Sequence, residues 1–118
     1  MLVVEDDRAL RDVYVQLLAD AGHSARVADD GANGLASLSG DIDLVVTDLN
    51  MPRMSGVAFL QALRDSREFA KMPVLVITAR PQSLPTELQG PLTSVIRKPF
   101  HLDQFTRFIE TVATRVMN

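Results

Sequence analysis

The chain of 118 residues is long enough for one domain with a single hydrophobic core and too short for two. Its net charge of −3 provides no basic surface for nucleic acid, and the lack of cysteine excludes disulfide bonds and thiol chemistry. The longest apolar runs are too short to span a bilayer, and no secretory signal precedes the first of them. We therefore expect a cytoplasmic protein that binds neither nucleic acid nor a membrane.

Short β-branched runs alternate with longer amphipathic segments along the chain. Three runs are continuously apolar and predict strands covered on both faces, at residues 2–4, 44–47 and 74–78. Weaker strands are predicted at residues 24–28 and 94–96. The order of elements predicts five βα units, and therefore a doubly wound, five-stranded parallel sheet with helices on both faces.

Helices are predicted between these strands. Asp7, either Asp29 or Asp30, and Ser55 are the expected residues at which the first three begin. Three prolines and a glycine within residues 80–93 predict only one short or distorted helix there. The inner faces are predicted to carry Leu10, Val13, Leu17 and Ala21, then Ala32, Leu35 and Ala36, then Phe59, Leu60 and Leu63, and in the last helix Leu102, Phe105, Ile109, Val112 and Val116.

Polar residues stand where four of the predicted strands end. Glu5 and Asp6 follow the first strand, Asp48 follows the third, Thr78 ends the fourth, and Lys98 comes soon after the fifth. The carboxyl ends of the strands in an open parallel sheet meet at one edge, where ligands bind. We expect these five side chains to converge at that edge, although they are far apart in sequence.

Converging carboxylates repel one another, and a hard dication relieves this repulsion. Mg²⁺ suits such a site because it prefers oxygen ligands and keeps several waters. Asp6 and Asp48 are predicted direct ligands, Glu5 is predicted to reach the metal through a water, and a carbonyl just after Asp48 completes the protein ligands. A carboxylate in this setting can act as a nucleophile and form an acyl phosphate, with Lys98 neutralising charge on the phosphoryl oxygens and Thr78 donating to them.

Four short motifs occur in order at fitting spacings, and with them residues 1–118 resemble a response-regulator receiver domain. The motifs are LVVEDD at 2–7, DLNMPRMSG at 48–56, VITAR at 76–80 and RKPF at 97–100. The resemblance implies a flavodoxin-like fold with strand order 2-1-3-4-5. It also implies that a sensor histidine kinase or a histidine phosphotransfer protein is the phosphoryl donor. The chain would then be a phosphoacceptor switch rather than a turnover enzyme.

The resemblance also implies a role for each matching residue. Asp48 corresponds to the phosphoacceptor, Asp6 to the direct metal ligand, and Asn50 to the residue whose backbone carbonyl binds Mg²⁺. Glu5 falls on the neighbouring acidic position. Thr78 corresponds to the switch hydroxyl, and Lys98 to the lysine of the last motif, which the family usually joins to its proline through a cis peptide bond.

Two departures from the family pattern leave a second hypothesis open. Val95 stands where the family often has a tyrosine or phenylalanine, and the stretch between Thr78 and Lys98 is short and rich in proline. The alternative is a phosphate-independent interaction module with an atypical output. An aspartate-dependent phosphohydrolase is a third hypothesis, but it needs an acid two residues after its nucleophile, where this chain has Asn50.

Overall fold

The computed structural model describes residues 1–51 and 54–117, with side chains described as far as residue 112. The strands are β1 (Leu2–Val4), β2 (Arg26–Ala28), β3 (Val45–Thr47), β4 (Val74–Thr78) and β5 (Thr93–Arg97). The helices are α1 (Arg8–Asp20), α2 (Gly31–Ser37), α3 (Gly56–Asp65) and α4 (Leu102–Met117). No helix in the described ranges has both the length and the apolar character needed to cross a membrane.

The five strands form one parallel sheet in the order β2-β1-β3-β4-β5, which confirms the predicted topology. Val4 lies opposite both Ala28 and Thr47, and Thr47 lies opposite Val76. The carboxyl ends of β1 and β3 are therefore level with each other. β4 continues two residues further and brings Thr78 opposite Arg97, next to Lys98.

Alternate residues of β1, β3 and β4 are buried on opposite faces of the sheet, as strands covered on both sides require. The first face packs against α2 and α3, and its buried strand residues are Leu2, Val4, Ala28, Val45, Val74 and Val76. The second face packs against α1 and α4, and its buried strand residues are Val3, Val46, Leu75, Ile77 and Ile96, with Leu44 just before β3. The continuous apolar runs of the sequence thus correspond to strands buried on both faces.

Side-chain caps fix where the first three helices begin. Asp7 accepts a hydrogen bond from the backbone N–H of Leu10, Asp30 caps α2, and Ser55 caps α3. These caps satisfy N–H groups that have no partner within the helix. Gly22, with a φ of 90°, follows the end of α1 as expected of a helix-stopping glycine. The predicted starts at Asp7, Asp30 and Ser55 are confirmed.

The predicted inner faces of the helices are partly wrong. In α1, Val13 is 45% exposed, and Tyr14 and Leu18 are the buried residues. Leu102, the first residue of α4, is 57% exposed. Other predicted inner positions also differ from observation: Ala32 and Ala36 are exposed, whereas Gly31 and Gly34 are buried, and the side chain of Val116 lies outside the described residues.

Two separate 3₁₀ turns replace a helix between β4 and β5, which confirms the prediction of a distorted segment. They span Pro81–Ser83 and Thr86–Leu88. Pro85 separates them, because its ring cannot continue a helix begun before it. Leu84 and Leu88 are buried against the α2 and α3 side of the sheet. The segment does not extend over all of β5, where Val95 remains 40% exposed.

The guanidinium of Arg64, at the end of α3, bonds to the segments that lead into β4 and β5. It donates hydrogen bonds to the carbonyl oxygens of Ala70, Met72 and Leu92, over distances of 3.1, 2.7 and 3.2 Å. It also donates to the hydroxyl of Thr93 at 3.0 Å. One side chain therefore connects α3, the loop before β4 and the beginning of β5.

Candidate functional site

The side chains of Asp48 and Lys98 are in direct contact at the carboxyl edge of the sheet. The Nζ of Lys98 lies 2.9 Å from Oδ2 of Asp48 and 3.7 Å from Oε1 of Glu5. The backbone N–H of Lys98 donates to the carbonyl of Thr78 at 2.8 Å, which fixes its position beside β4. The Lys98–Pro99 peptide bond is cis, as the resemblance implied. Residues from the ends of β1, β3 and β5 thus form one site.

Backbone groups hold the carboxylate of Asp48 in place. Its Oδ1 accepts hydrogen bonds from the N–H groups of Leu49, at 2.6 Å, and Asn50, at 3.4 Å. Gly56, at the start of α3, donates to the carbonyl of Leu49 at 2.9 Å. A Cβ on Gly56 would lie 1.8 Å from the carbonyl oxygen of Asp48, so only glycine allows α3 to begin this close to the site. The Asp48 loop is therefore positioned by close backbone packing.

Glu5 is a buried acid with an unusual electrostatic setting. Its residue is 1% exposed, and burial raises its pKa from 4.5 to about 7 against the opposing effect of Lys98. The neighbouring negative charges of Asp48, Asp6 and Asp7 also raise this pKa. Its Oε2 has no hydrogen-bond partner among the described residues. Glu5 therefore carries a buried oxygen that is open to a further ligand.

The raised pKa of Glu5 predicts a pH-dependent stability in metal-free protein. The folded state binds this proton more tightly than the unfolded chain, so the contribution to the free energy of unfolding is full below about pH 4.5. It is lost as the pH rises through about 7. Between about pH 5 and about pH 8 we expect Glu5 to account for a fall of about 2 kcal/mol, measurable by urea unfolding in the presence of a chelator.

Two substitutions separate the contribution of Glu5 from the general effect of pH. Glu5→Gln should remove the Glu5 part of the slope, because an amide does not titrate. Glu68→Gln, at an exposed glutamate, should keep the wild-type slope. Equal slopes in wild-type protein and Glu5→Gln would show that burial of Glu5 does not control this dependence.

The other predicted site residues lie around this contact in different ways. Thr78 is buried, and its hydroxyl oxygen accepts from the backbone N–H of Arg80 at 3.1 Å, which leaves the hydroxyl proton available for donation. Asp6 is exposed in the bend after β1, and its charge acts on Glu5. Asn50 is exposed in the loop after Asp48. Pro52 and Arg53 of the second motif lie outside the described residues.

Comparison with known proteins identifies the family. The response regulator receiver domain profile matches residues 1–110. The chain belongs to the response regulator receiver domain family. It is therefore a receiver domain of the kind used in two-component signal transduction.

Curated relatives and a solved structure agree with this assignment. Chemotaxis protein CheY-3 of Vibrio cholerae is 38% identical over 104 residues, which cover 85% of this receiver domain and 80% of that protein. Chemotaxis protein CheY of Pseudomonas aeruginosa is 34% identical over 120 residues, which cover 98% of this receiver domain and 97% of that protein. The structure of V. cholerae CheY4 crystallised at low pH has a TM-score of 0.81 and 27% identity, covering 94% of this chain and 95% of that one.

The donor groups of this receiver domain suit a magnesium ion by type. Glu5, Asp6 and Asp48 provide carboxylate oxygens, and Asn50 provides a backbone carbonyl, which are the hard ligands that Mg²⁺ prefers. Within the described residues, no three or more histidine, cysteine, aspartate or glutamate side chains are grouped so that they could hold a metal ion. The carboxylates of Asp48 and Glu5 are instead arranged around the ammonium of Lys98. The ligand assignment stays a prediction.

Sequence reasoning missed two residues beside the site. Tyr14 on α1 is 2% exposed, and its ring stacks on those of Phe100 and Phe105, which also stack on each other. Arg11, on the same helix, donates to the carbonyl oxygen of Glu5 at 3.2 Å. Tyr14 lies one turn after Leu10 and one turn before Leu18, so a helical face centred on the aromatic residue was the available signal.

Proposed function

We propose that this receiver domain accepts a phosphoryl group on Asp48 from a phosphohistidine in a Mg²⁺-dependent reaction, and that this modification changes its binding to a partner. The observation that carries the proposal is the 2.9 Å contact between Lys98 Nζ and Asp48 Oδ2, with Glu5 beside it. A carboxylate nucleophile next to a fixed cation, at the edge of the sheet where ligands bind, suits phosphoryl transfer. The donor would be a histidine kinase or a histidine phosphotransfer protein.

In the proposed reaction, an oxygen of the Asp48 carboxylate bonds to phosphorus as the bond from phosphorus to the imidazole nitrogen breaks. The nitrogen leaves with the electron pair and takes a proton. The N–H groups of Leu49 and Asn50 hold the carboxylate in position, and Lys98 neutralises negative charge on the phosphoryl oxygens. The free hydroxyl proton of Thr78 is available to one of these oxygens.

A bound Mg²⁺ would neutralise further charge on the transferring group. Asp6, Asp48 and the carbonyl of Asn50 would hold it directly, and Glu5 would bind one of its waters. Asn50 also bears on how the phosphoryl group is released, since an amide two residues after Asp48 cannot act as a general acid or base. The acyl phosphate is therefore expected to hydrolyse slowly, as suits a switch rather than a turnover phosphatase.

The test is direct phosphorylation of the purified protein with acetyl phosphate and Mg²⁺. After an acid quench, intact mass spectrometry should show the addition of one phosphoryl group, and a chelator should prevent it. Reduction of the acyl phosphate with borohydride, followed by peptide mapping, should locate the modification at Asp48. No mass gain with any phosphoryl donor, or a modification on another residue, would contradict the proposal.

A specific observation keeps the phosphate-independent module as a second candidate. Val95, where the family often has an aromatic residue, is 40% exposed, and two 3₁₀ turns stand in place of a helix between β4 and β5. Amide hydrogen exchange with and without Mg²⁺ and beryllofluoride, a phosphoryl mimic, distinguishes the two. Altered exchange in residues 80–97 supports a phosphorylation-dependent surface, whereas unchanged exchange there supports the second candidate.

A further inference from the structure

Tyr14 lies beside the Asp48 and Lys98 site and has a buried phenol hydroxyl that lacks a hydrogen-bond partner among the described residues. Its ring centroid lies 5.8 Å from that of Phe105, with an angle of 5° between the planes, and 6.3 Å from that of Phe100. Packing therefore fixes the ring, yet its hydroxyl has no hydrogen-bond partner among the described residues. A buried polar atom of this kind is costly unless it has a function or a solvent partner.

Two contacts place Tyr14 near the acidic edge of the sheet. Its ring stacks on Phe100, two residues after Lys98, and Arg11, one turn earlier on α1, donates to the carbonyl oxygen of Glu5. Helical side chains lean toward the N-terminus of their helix, and the N-terminus of α1 follows directly on Glu5 through Glu5-Asp6-Asp7. Burial and then the charges of Glu5, Asp48 and Asp7 raise the pKa of Tyr14. Oε2 of Glu5 and the hydroxyl of Tyr14 are the two buried side-chain oxygens left unpartnered in the described part of the chain.

We propose that Tyr14 is a positioning residue, which donates a hydrogen bond through one water to Oε2 of Glu5 and so orients this carboxylate toward the site. Lys98 approaches the other oxygen, Oε1, at 3.7 Å, and together the two donors would fix the plane of the carboxylate. Outer groups that orient metal-site carboxylates contribute strongly to metal affinity. The inference rests on the proposed function, because it assigns Tyr14 a role in that same Mg²⁺ site.

The test is the affinity for Mg²⁺, measured by calorimetry, of Tyr14→Phe. This substitution removes one oxygen and keeps the stacked ring, and we expect binding about tenfold weaker than in wild-type protein. In a Glu5→Ala background the same substitution should cause no further loss, because alanine leaves no side-chain oxygen to accept from Tyr14. Thr111→Val removes a hydroxyl that bonds within α4, and it should bind Mg²⁺ as the wild type does.

A spectroscopic readout is available because the chain contains one tyrosine and no tryptophan. Titration of the wild type with Mg²⁺ should shift the near-ultraviolet tyrosine band with the same midpoint as the calorimetric binding curve. This measurement also decides the question if Tyr14→Phe does not fold. A tyrosine band that does not move as Mg²⁺ binds overturns the inference.

The remaining outcomes separate this inference from the proposed function. Wild-type affinity in Tyr14→Phe, or an equal loss in the Glu5→Ala background, overturns the role of Tyr14 while phosphorylation of Asp48 stands. Wild-type protein that neither binds Mg²⁺ nor gains a phosphoryl group overturns the proposed function, and the role of Tyr14 with it.

Discussion

Asp48→Asn is expected to abolish the phosphoryl mass gained from acetyl phosphate. The side-chain amide keeps an oxygen that can accept from the N–H groups of Leu49 and Asn50, so the loop should keep its geometry. It loses the negative charge and the nucleophilic oxygen that attack on phosphorus requires. Intact mass spectrometry after an acid quench measures the result, and an unchanged thermal melting curve shows that the fold is retained.

The control for this substitution is a carboxylate away from the site. Asp65, an exposed residue at the end of α3, accepts a hydrogen bond from Gln61. Asp65→Asn removes the same charge and should gain the same phosphoryl mass as the wild type. If Asp48→Asn still gained this mass, another acid would be the acceptor, and the assignment of Asp48 would be wrong.

Lys98→Met should slow phosphoryl uptake by about a hundredfold or more, the usual effect of losing one preorganised charge donor at a reacting group. Methionine keeps the length of the side chain but leaves Asp48 without the cation now 2.9 Å from its Oδ2. It also removes the charge that lowers the pKa of Glu5, so that pKa should rise further above its already raised value. Time courses of mass gain with acetyl phosphate provide the rate constants.

The matched control is Lys71→Met, at an exposed lysine before β4. It makes the same change of charge on the surface, and its uptake rate should equal that of the wild type. Equal rates in Lys98→Met and wild-type protein would contradict a role for the ammonium in transfer. Slowing of both variants alike would indicate an effect of net charge on the anionic donor instead.

Much of the fold follows from local sequence signals. Continuous apolar runs indicate strands buried on both faces, and Asp7, Asp30 and Ser55 act as caps because their side chains complete unsatisfied N–H groups. The order of the strands came from the family resemblance, since alternation of strands and helices alone allows several arrangements. The replacement of a helix by two 3₁₀ turns was expected from the prolines, but their exact form depends on how Leu84 and Leu88 reach the core.

The site was predictable in composition but not in its contacts. The rule that strand ends meet at one edge brought Glu5, Asp48 and Lys98 together correctly. Glu5 is buried while its neighbour Asp6 is exposed, because adjacent residues after a strand point in opposite directions. The spacing of the motif does not show which of the two acids points inward. Tyr14 was missed because apolar spacing favoured Val13, one residue away on the helix.

Lys98 follows an edge strand, whereas Glu5 and Asp48 follow central strands, so the two sides of the site differ in how easily they can move. β1 and β3, which lead to Glu5 and Asp48, each have neighbouring strands on both sides, whereas β5 has one neighbour. Strands with a single partner open at a lower free-energy cost than central ones. The carboxylates of Glu5 and Asp48 therefore follow the central strands, which open at the higher cost. We expect Lys98 and β5 to move more readily than these carboxylates when a ligand enters the site.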